Sequence, residues 1–260
     1  MSWWGKVIGG TFGFMMGGPL GALMGATMGN YFDSGLQNPR VNNTLGLGAT
    51  ERVQSVFFAT TFAIMGYVSK ADGKVTSDEI SMAEHVMSQM RLNAQQREVA
   101  KSLFSQGKAD GFPVHEVLHQ FKKECFRRRN LIQMFMEIVT SMAFADGSLS
   151  PNEQRVLSSI AKDLGYSEQN FSQLMSRLSG QVNFTSKESR QQILRAAYDL
   201  LAVTPNVSNQ DLKKAYRRQM NQHHPDKLVS KGMPEEMIDI ATEKTQEIKA
   251  AYELIKEERG

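Results

Sequence analysis

The fold of the C-terminal region is decided by residues 208–226, which read SNQDLKKAYRRQMNQHHPD. Ser208 is a favourable N-cap, and apolar and basic residues recur at helical spacing from there to Gln222. Pro225 lacks a backbone N–H and disfavours helical backbone in the residue before it, so the helix has to end in front of the His-His-Pro-Asp run. The stretch therefore predicts a helix with a basic face, followed by a loop.

The sequence on either side of this stretch predicts two further helices. A second long helix is expected from about Pro234, and a shorter helix over Arg190–Leu201 would brace its base. The apolar side of the second long helix is formed by Met237, Ile240, Ala241, Ile248, Ala251, Tyr252 and Ile255. Their spacing predicts packing on Leu212, Ala215 and Tyr216, so the two long helices are expected to form an antiparallel hairpin.

This hairpin resembles a J-domain, a family whose signature is a His-Pro-Asp tripeptide between its second and third helices. Here the tripeptide is His224-Pro225-Asp226. Segments 197–203, 212–218 and 250–254 resemble the three helices of that family. A tripeptide alone recurs by chance, but the flanking similarity disfavours the alternative of an ordinary solvated loop.

The J-domain resemblance implies a role in binding and switching a DnaK-type chaperone. Pro225 limits the freedom of the loop, so that less ordering entropy is lost when a partner binds. Asp226 can accept a bidentate bond from an arginine of that partner. The residues implied in binding are His224, Pro225, Asp226, Lys213, Lys214, Arg217 and Arg218.

The ATP site would belong to the partner. The chain has no phosphate-binding Gly-rich loop with Lys-Ser or Lys-Thr, and no nucleophile with a neighbouring base that can be identified. We therefore expect no enzyme activity and no cofactor. Two positions depart from the J-domain pattern, since Gln219 stands where an apolar residue is usual and Thr245 where many members have Phe. They predict looser packing of the hairpin.

The N-terminal segment, residues 1–33, is predicted to form a single transmembrane helix. No charged side chain lies between Lys6 and Asp33, and the run Val7–Gly29 would span about 35 Å as a helix. Glycine recurs at every fourth residue, a spacing that lets transmembrane helices approach closely. Self-association into a homodimer is therefore expected through Gly9, Gly13, Gly17, Gly21 and Gly25.

Two alternatives compete with the transmembrane prediction. A cleaved signal peptide is disfavoured by the length of the Gly-rich stretch and by the lack of a clear cleavage site. A flexible surface segment is disfavoured because Leu, Met and Phe are interleaved with the glycines. Trp3, Trp4 and Tyr31 bracket the span as aromatic anchors would, whereas the flanking charges leave its orientation open.

A polar linker at 34–50 is followed by a region, residues 51–180, that contains an internal repeat. Segment 71–79 matches segment 145–153, and each has Asp-Gly followed by the residues of a capping box. The capping pairs are Thr76 with Glu79 and Ser150 with Glu153, with Pro151 at the first helical position. The repeat predicts a pseudo-symmetric bundle of some seven helices with a core of Phe57, Phe58, Phe62, Met65, Met134, Phe135, Ile138 and Met142.

The acidic turns of the repeat also raise the question of a metal site. Each turn matches the second half of a calcium-binding EF-hand loop, but the first half would place Val68 and Lys70, or Met142 and Phe144, at ligand positions. Capping turns are therefore favoured and no metal is expected. His115 and His119 share a helix face without a third ligand. The repeat resembles the TerB-like domain of tellurite-resistance proteins, for which acidic metal-linked sites have been proposed.

Composition narrows the function further. The 260 residues carry a net charge of only +3, with basic and acidic residues interspersed, so no nucleic-acid partner is expected. A single cysteine, Cys125, permits neither an internal disulfide nor a cysteine zinc site. It is expected to be a small buried residue of a protein in a reducing compartment.

The predicted architecture is thus all-α: a transmembrane helix, a linker, a TerB-like helical bundle, a second linker at 181–190 and a J-domain hairpin at 191–260. This order resembles the DjlA family of membrane-anchored DnaJ-like proteins of Gram-negative bacteria. The resemblance is specific in segments 31–33, 57–62 and 223–228. It implies a single pass through the bacterial inner membrane with the C-terminal bulk in the cytoplasm.

The family resemblance favours a membrane-anchored co-chaperone that stimulates the ATPase of a DnaK-type chaperone. The alternative is an envelope scaffold or stress-sensing protein in which the TerB-like domain binds its own protein partner. A third, weaker hypothesis is metal sensing by the acidic turns.

Overall fold

The computed structural model describes residues 17–33, 48–71, 73, 77–90, 92–144, 149–182 and 190–259. This part of the chain contains twelve α-helices, one short 3₁₀ helix and no strand. The predicted all-α class is therefore confirmed.

The first described helix, α1, spans Gly18–Asp33. The prediction of one helix over Val7–Gly29 is wrong at Gly17 and Gly18, which have φ angles of +58° and +65°. Backbone in this left-handed region breaks a right-handed helix and is easily adopted only by glycine. Of the predicted contact glycines, Gly21 and Gly25 lie on α1, Gly17 precedes it, and Gly9 and Gly13 are outside the described residues.

Helix α1 packs against the rest of the chain through buried Leu20, Leu23 and Met24. Gln120 holds its start, because its Oε1 accepts a hydrogen bond from the Leu20 N–H at 3.1 Å and its Nε2 donates to the Gly17 carbonyl at 3.0 Å. Among the described residues, no helix combines the length and the apolar character that a bilayer crossing requires.

Seven helices form the middle domain. They are α2 Ala49–Ser69, α3 Ser77–Gln89, α4 Ala94–Gly107, α5 Val114–Glu124, α6 Arg129–Ala143, α7 Pro151–Leu164 and α8 Glu168–Val182. Their number agrees with the prediction. Helix α2 is buried along most of its length and contacts α4, α5 and α6.

The predicted core of the middle domain is confirmed, since all eight residues named for it are buried. Phe57, Phe121 and Phe135 form its aromatic centre, with the Phe121 and Phe135 rings 4.6 Å apart. Cys125 follows α5 as a buried free thiol. Burial raises the pKa of this thiol to about 12, so the prediction of an unreactive small residue is supported.

The second capping box of the repeat is confirmed. Ser150 Oγ accepts from the Glu153 N–H at 3.2 Å, and a Glu153 carboxylate oxygen accepts from the Ser150 N–H at 2.8 Å. Pro151 is the first residue of α7, as predicted. Thr76, the cap predicted in the first copy, lies outside the described residues.

The C-terminal unit contains α9 Arg190–Leu200, α10 Asn209–His223, α11 Pro225–Ser230, a 3₁₀ helix Glu235–Met237 and α12 Ile238–Arg259. Ser208 caps α10 by accepting from the Asp211 N–H. Helices α9, α10 and α12 share a small core of Ala197, Tyr198, Leu200, Leu201, Leu212, Ile248, Ala251 and Ile255. Tyr216 and Tyr252 stack beside it, with ring centroids 4.3 Å apart. The predicted antiparallel hairpin is therefore present.

The far end of the hairpin differs from the prediction. Pro225–Ser230, which include two residues of the tripeptide, form α11 rather than a loop. Met237, Ile240 and Ala241 were expected to pack on α10, but they join the core of the middle domain instead. The prediction is wrong for these three residues because a second apolar surface, that of the middle domain, lies against this end of the hairpin.

Candidate functional site

The corner between α10 and α11 carries the His-Pro-Asp tripeptide. Helix α10 ends at His223, and His224 has extended backbone, with φ −60° and ψ 124°. The His224 carbonyl then accepts from the Lys227 and Leu228 N–H groups at 3.1 and 3.0 Å, which starts α11 with Pro225 as its first residue. Proline suits this position because its missing N–H would have no helical partner.

The polar side chains of the tripeptide face solvent. His224 and Asp226 are exposed, while Pro225 between them is half-buried. Two donor or acceptor groups are thus offered from one bend in the backbone. A partner can reach both without any rearrangement of the fold.

A basic surface extends from the corner along α10. It is formed by the exposed side chains of Lys213, Lys214, Arg217 and Arg218. Lys214 also donates to Asp211 at 3.0 Å, and this bond lowers the pKa of that carboxyl from its usual value. The surface can attract an acidic partner over distances of about one Debye length, roughly 8 Å at physiological salt.

A buried ion pair lies directly beneath the corner. His223, next to the tripeptide, is 2% exposed, and Glu137 of α6 is 5% exposed. The His223 Nε2 atom lies 2.9 and 3.1 Å from the two Glu137 carboxylate oxygens. Its Nδ1 atom lies 2.9 Å from the Gln219 carbonyl oxygen.

Three further groups surround Glu137. Gln133 donates to its carboxylate at 3.0 Å, and the Arg177 guanidinium is 4.0 Å away. Burial alone would raise the pKa of Glu137, but the charge and hydrogen bond of His223, together with Lys244 and Arg177, hold that pKa far below its usual range. Glu137 is therefore an anion inside the protein.

A cavity of about 400 Å³ opens beside this pair, between the middle domain and α12. Met134, Ile138 and Phe144 contribute its apolar surface, and Lys244 and Glu247 its charged rim. Glu137 is one of its lining residues, so residues of both structural units border this open space.

Among the residues that the structure describes, the other polar groups considered as metal ligands do not assemble into a metal centre. Within the described ranges, no three His, Cys, Asp or Glu side chains converge closely enough to hold an ion. His115 Nδ1 lies 2.6 Å from Asp163, and His119 is exposed one turn further along α5. Asp72 and Asp146, the acidic residues of the repeated turns, lie outside the described part of the chain.

Three protein families match successive parts of the chain. Residues 1–39 match the co-chaperone DjlA transmembrane domain, residues 59–176 match tellurite resistance protein TerB, and residues 196–259 match the DnaJ domain. No solved structure matches the chain.

Curated relatives cover the whole chain. Co-chaperone protein DjlA of Photobacterium profundum is 40% identical over 274 residues, which is 99% of this chain and 99% of the relative. The proteins of the same name from Escherichia coli K12 and Salmonella typhimurium are also 40% identical, over 100% of this chain and 99% of their own length. The chain belongs to the DjlA co-chaperone family.

This DjlA-family membership confirms the resemblance drawn from the sequence. A DjlA-type J-domain implies a partner of the DnaK class, and the match of residues 1–39 indicates membrane anchoring. The tripeptide, the basic residues of α10 and the N-terminal glycines all lie within matched segments, while their individual roles stay predictions.

Sequence reasoning missed His223 and Glu137. The available signal was Glu137 itself, the one charged residue in the apolar run 134–139. A charge at a core position of a helix needs a buried partner. Nothing in the local sequence identifies that partner as a histidine 86 residues away.

Proposed function

We propose that this DjlA-family chain is a membrane-anchored co-chaperone that recruits a DnaK-type chaperone and stimulates its ATPase through His224-Pro225-Asp226. The observation that carries the proposal is the exposure of His224 and Asp226 at a fixed corner, beside the basic face of α10. Family membership supplies the class of partner.

The basic face accounts for the approach of the partner. Lys213, Lys214, Arg217 and Arg218 are exposed together, so they steer the corner toward an acidic patch and raise the association rate. Contacts at the rim of an interface act on encounter more than on final affinity. Asp226 then forms the short-range contact, because a carboxylate accepts two bonds from one arginine.

Membrane anchoring places this activity at a surface. In our proposal the chain crosses the bacterial inner membrane once, with the C-terminal bulk in the cytoplasm, where ATP and a DnaK-type chaperone are available. The match of residues 1–39 to a transmembrane family supports the anchor. Insertion of α1 would transfer Leu20, Leu23 and Met24 from the middle domain to lipid, an exchange of one apolar environment for another.

The test is the ATPase rate of a purified DnaK-type chaperone in the presence of the full chain in lipid nanodiscs. His224→Gln and Asp226→Asn are each expected to abolish stimulation. His115→Gln is the matched control, since His115 is an exposed histidine far from the corner in sequence. Stimulation by His224→Gln equal to that of the parent would exclude the proposed mechanism.

The scaffold alternative makes a different prediction for the same variant. If the middle domain acts alone, Asp226→Asn leaves the phenotype of the intact cell unchanged. Loss of both ATPase stimulation and the cellular phenotype in Asp226→Asn supports the co-chaperone.

A further inference from the structure

We propose that the middle domain is itself a binding partner of the J-domain corner, and that Glu137 and His223 are positioning residues that hold His224-Pro225-Asp226 ready for the chaperone. This inference rests on the proposed function. It assigns a ligand to one face of the TerB-like domain, namely the J-domain of the same chain.

The first observation is that the J-domain hairpin is divided between two cores. Its base is held by the small core that contains Leu212 and Ile248. Its far end contributes Leu228, Met233 and Met237, all fully buried, to the core of the middle domain. Removing this end from the middle domain would expose three large apolar side chains to water, which is unfavourable.

The second observation is the close fit of the backbone at the same place. Gly232 has φ +101°, and a Cβ added to it would lie 2.8 Å from Val53 Cγ1 of α2. The Asn130 side chain donates to the Gln222 carbonyl at 3.0 Å. Apolar packing, backbone fit and a specific hydrogen bond thus coincide on one surface, which distinguishes it from an incidental contact.

The third observation concerns the hydrogen-bond partners of His223. Both ring nitrogens face oxygen atoms that can only accept, the Gln219 carbonyl and the Glu137 carboxylate. Both nitrogens must therefore donate, and the ring is an imidazolium paired with a buried anion. Removal of one partner from such a pair leaves an uncompensated buried charge, which strongly destabilises the contact.

These contacts anchor the tripeptide on both sides. His223 immediately precedes it and is bound to Glu137, and Leu228 follows it within two residues in the core of the middle domain. His224 and Asp226 nevertheless stay exposed. Because the partner meets a corner that is already ordered, binding loses less conformational entropy. The same exposure argues against a blocking role for the middle domain.

The experiment measures ATPase stimulation as a function of the concentration of the full chain in nanodiscs. Glu137→Gln and His223→Gln are each expected to raise the half-maximal concentration about tenfold while the maximal stimulation stays near that of the parent. The double variant Glu137→Gln/His223→Gln carries neither charge, and its two amides can still form a hydrogen bond. Its half-maximal concentration should therefore lie within about threefold of that of the parent.

The matched control is Asp163→Asn. Asp163 of α7 also pairs with a histidine, its carboxylate lying 2.6 Å from His115 Nδ1, and both residues belong to the middle domain. This variant is expected to leave the half-maximal concentration unchanged. If Glu137→Gln does not fold, Asn130→Ala removes a single neutral hydrogen bond at the same surface and should raise the half-maximal concentration two- to threefold.

The outcomes separate this inference from the proposed function. An unchanged half-maximal concentration in Glu137→Gln and Asn130→Ala, with Asp226→Asn inactive, overturns the inference and leaves the co-chaperone function intact. Stronger stimulation by Glu137→Gln, or a lower maximum at an unchanged half-maximal concentration, also overturns it. Full activity of Asp226→Asn refutes the function itself.

Discussion

Gly66 of α2 and Phe104 of α4 are in backbone contact: a Cβ added to Gly66 would lie 2.0 Å from the Phe104 carbonyl oxygen. The relationship is reciprocal along the crossing, because a Cβ on Gly107 would lie 1.8 Å from the Ala63 carbonyl oxygen. Two glycines therefore allow the central helix of the middle domain to approach its neighbour more closely than side chains would permit.

Gly66→Ala is expected to lower the free energy of unfolding by at least about 3 kcal/mol, because relief of the overlap requires α2 and α4 to separate. Urea denaturation followed by circular dichroism measures this change. Ser105→Ala, which places an alanine on the exposed side of α4, is the control and should change stability by less than about 0.5 kcal/mol. Equal stability of Gly66→Ala and the parent would show that the two helices are not in contact.

Ser150→Ala is expected to cost about 1 kcal/mol, since it removes the acceptor for the Glu153 N–H and breaks the capping box of α7. Thermal unfolding measures the loss. Ser158→Ala, on the exposed side of the same helix, should be neutral or slightly stabilising. A similar change in both variants would mean that helix propensity, and not the cap, determines the effect.

The parts of the fold that were predictable are those determined by neighbours in sequence. The cap at Ser150, the apolar faces of α2 and α6 and the end of α10 before Pro225 each follow from residues within a few positions. Helical periodicity identifies a buried face but does not say what covers it. Met237 and Ile248 look alike in sequence, yet one packs on the middle domain and the other on the J-domain.

The candidate site shows the same division. The exposure of His224 and Asp226 could be predicted, because proline ends α10 and fixes the bend. The pairing of His223 with Glu137 could not be predicted, since it depends on how two helical units that are distant in sequence pack together. The break at Gly17 was also not predicted. Glycine at every fourth residue is typical of closely packed helices. A single glycine also adopts left-handed backbone easily, and the sequence does not say which of the two applies.

The stability contributed by Glu137 is expected to depend on pH. His223 lowers the pKa of Glu137 in the folded chain despite its burial. The stability that the Glu137 carboxylate contributes is therefore fully present above its unfolded pKa of about 4.3. This contribution is lost as the pH falls toward the folded pKa. Near neutral pH, the free energy of unfolding of the parent should therefore be about 3 kcal/mol larger than that of Glu137→Gln. This difference should shrink below about pH 4. Urea denaturation at a series of pH values measures it.

Glu84→Gln is the control for this titration, because Glu84 is an exposed carboxylate of α3. The free energy of unfolding of Glu84→Gln should stay within about 0.5 kcal/mol of that of the parent at every pH. The difference in free energy of unfolding between the parent and Glu137→Gln could instead stay constant from pH 7 to pH 3, or grow on acidification. Either result would contradict an ionised Glu137 in the folded chain.

The glycines of the N-terminal segment are expected to mediate self-association in lipid. Gly9→Leu and Gly13→Leu should each weaken the dimer at least about tenfold, because a bulky side chain on the close-packed face separates the two helices. Energy transfer between chains labelled at the C-terminus and reconstituted in vesicles measures the dissociation constant. Gly10→Leu makes the same chemical change next to the stripe but off it, and should leave the dimer within about twofold of the parent. If Gly10→Leu weakens association as much as Gly9→Leu, the four-residue spacing does not define the contact face. The glycines would then serve to let the backbone turn, as Gly17 and Gly18 do ahead of α1.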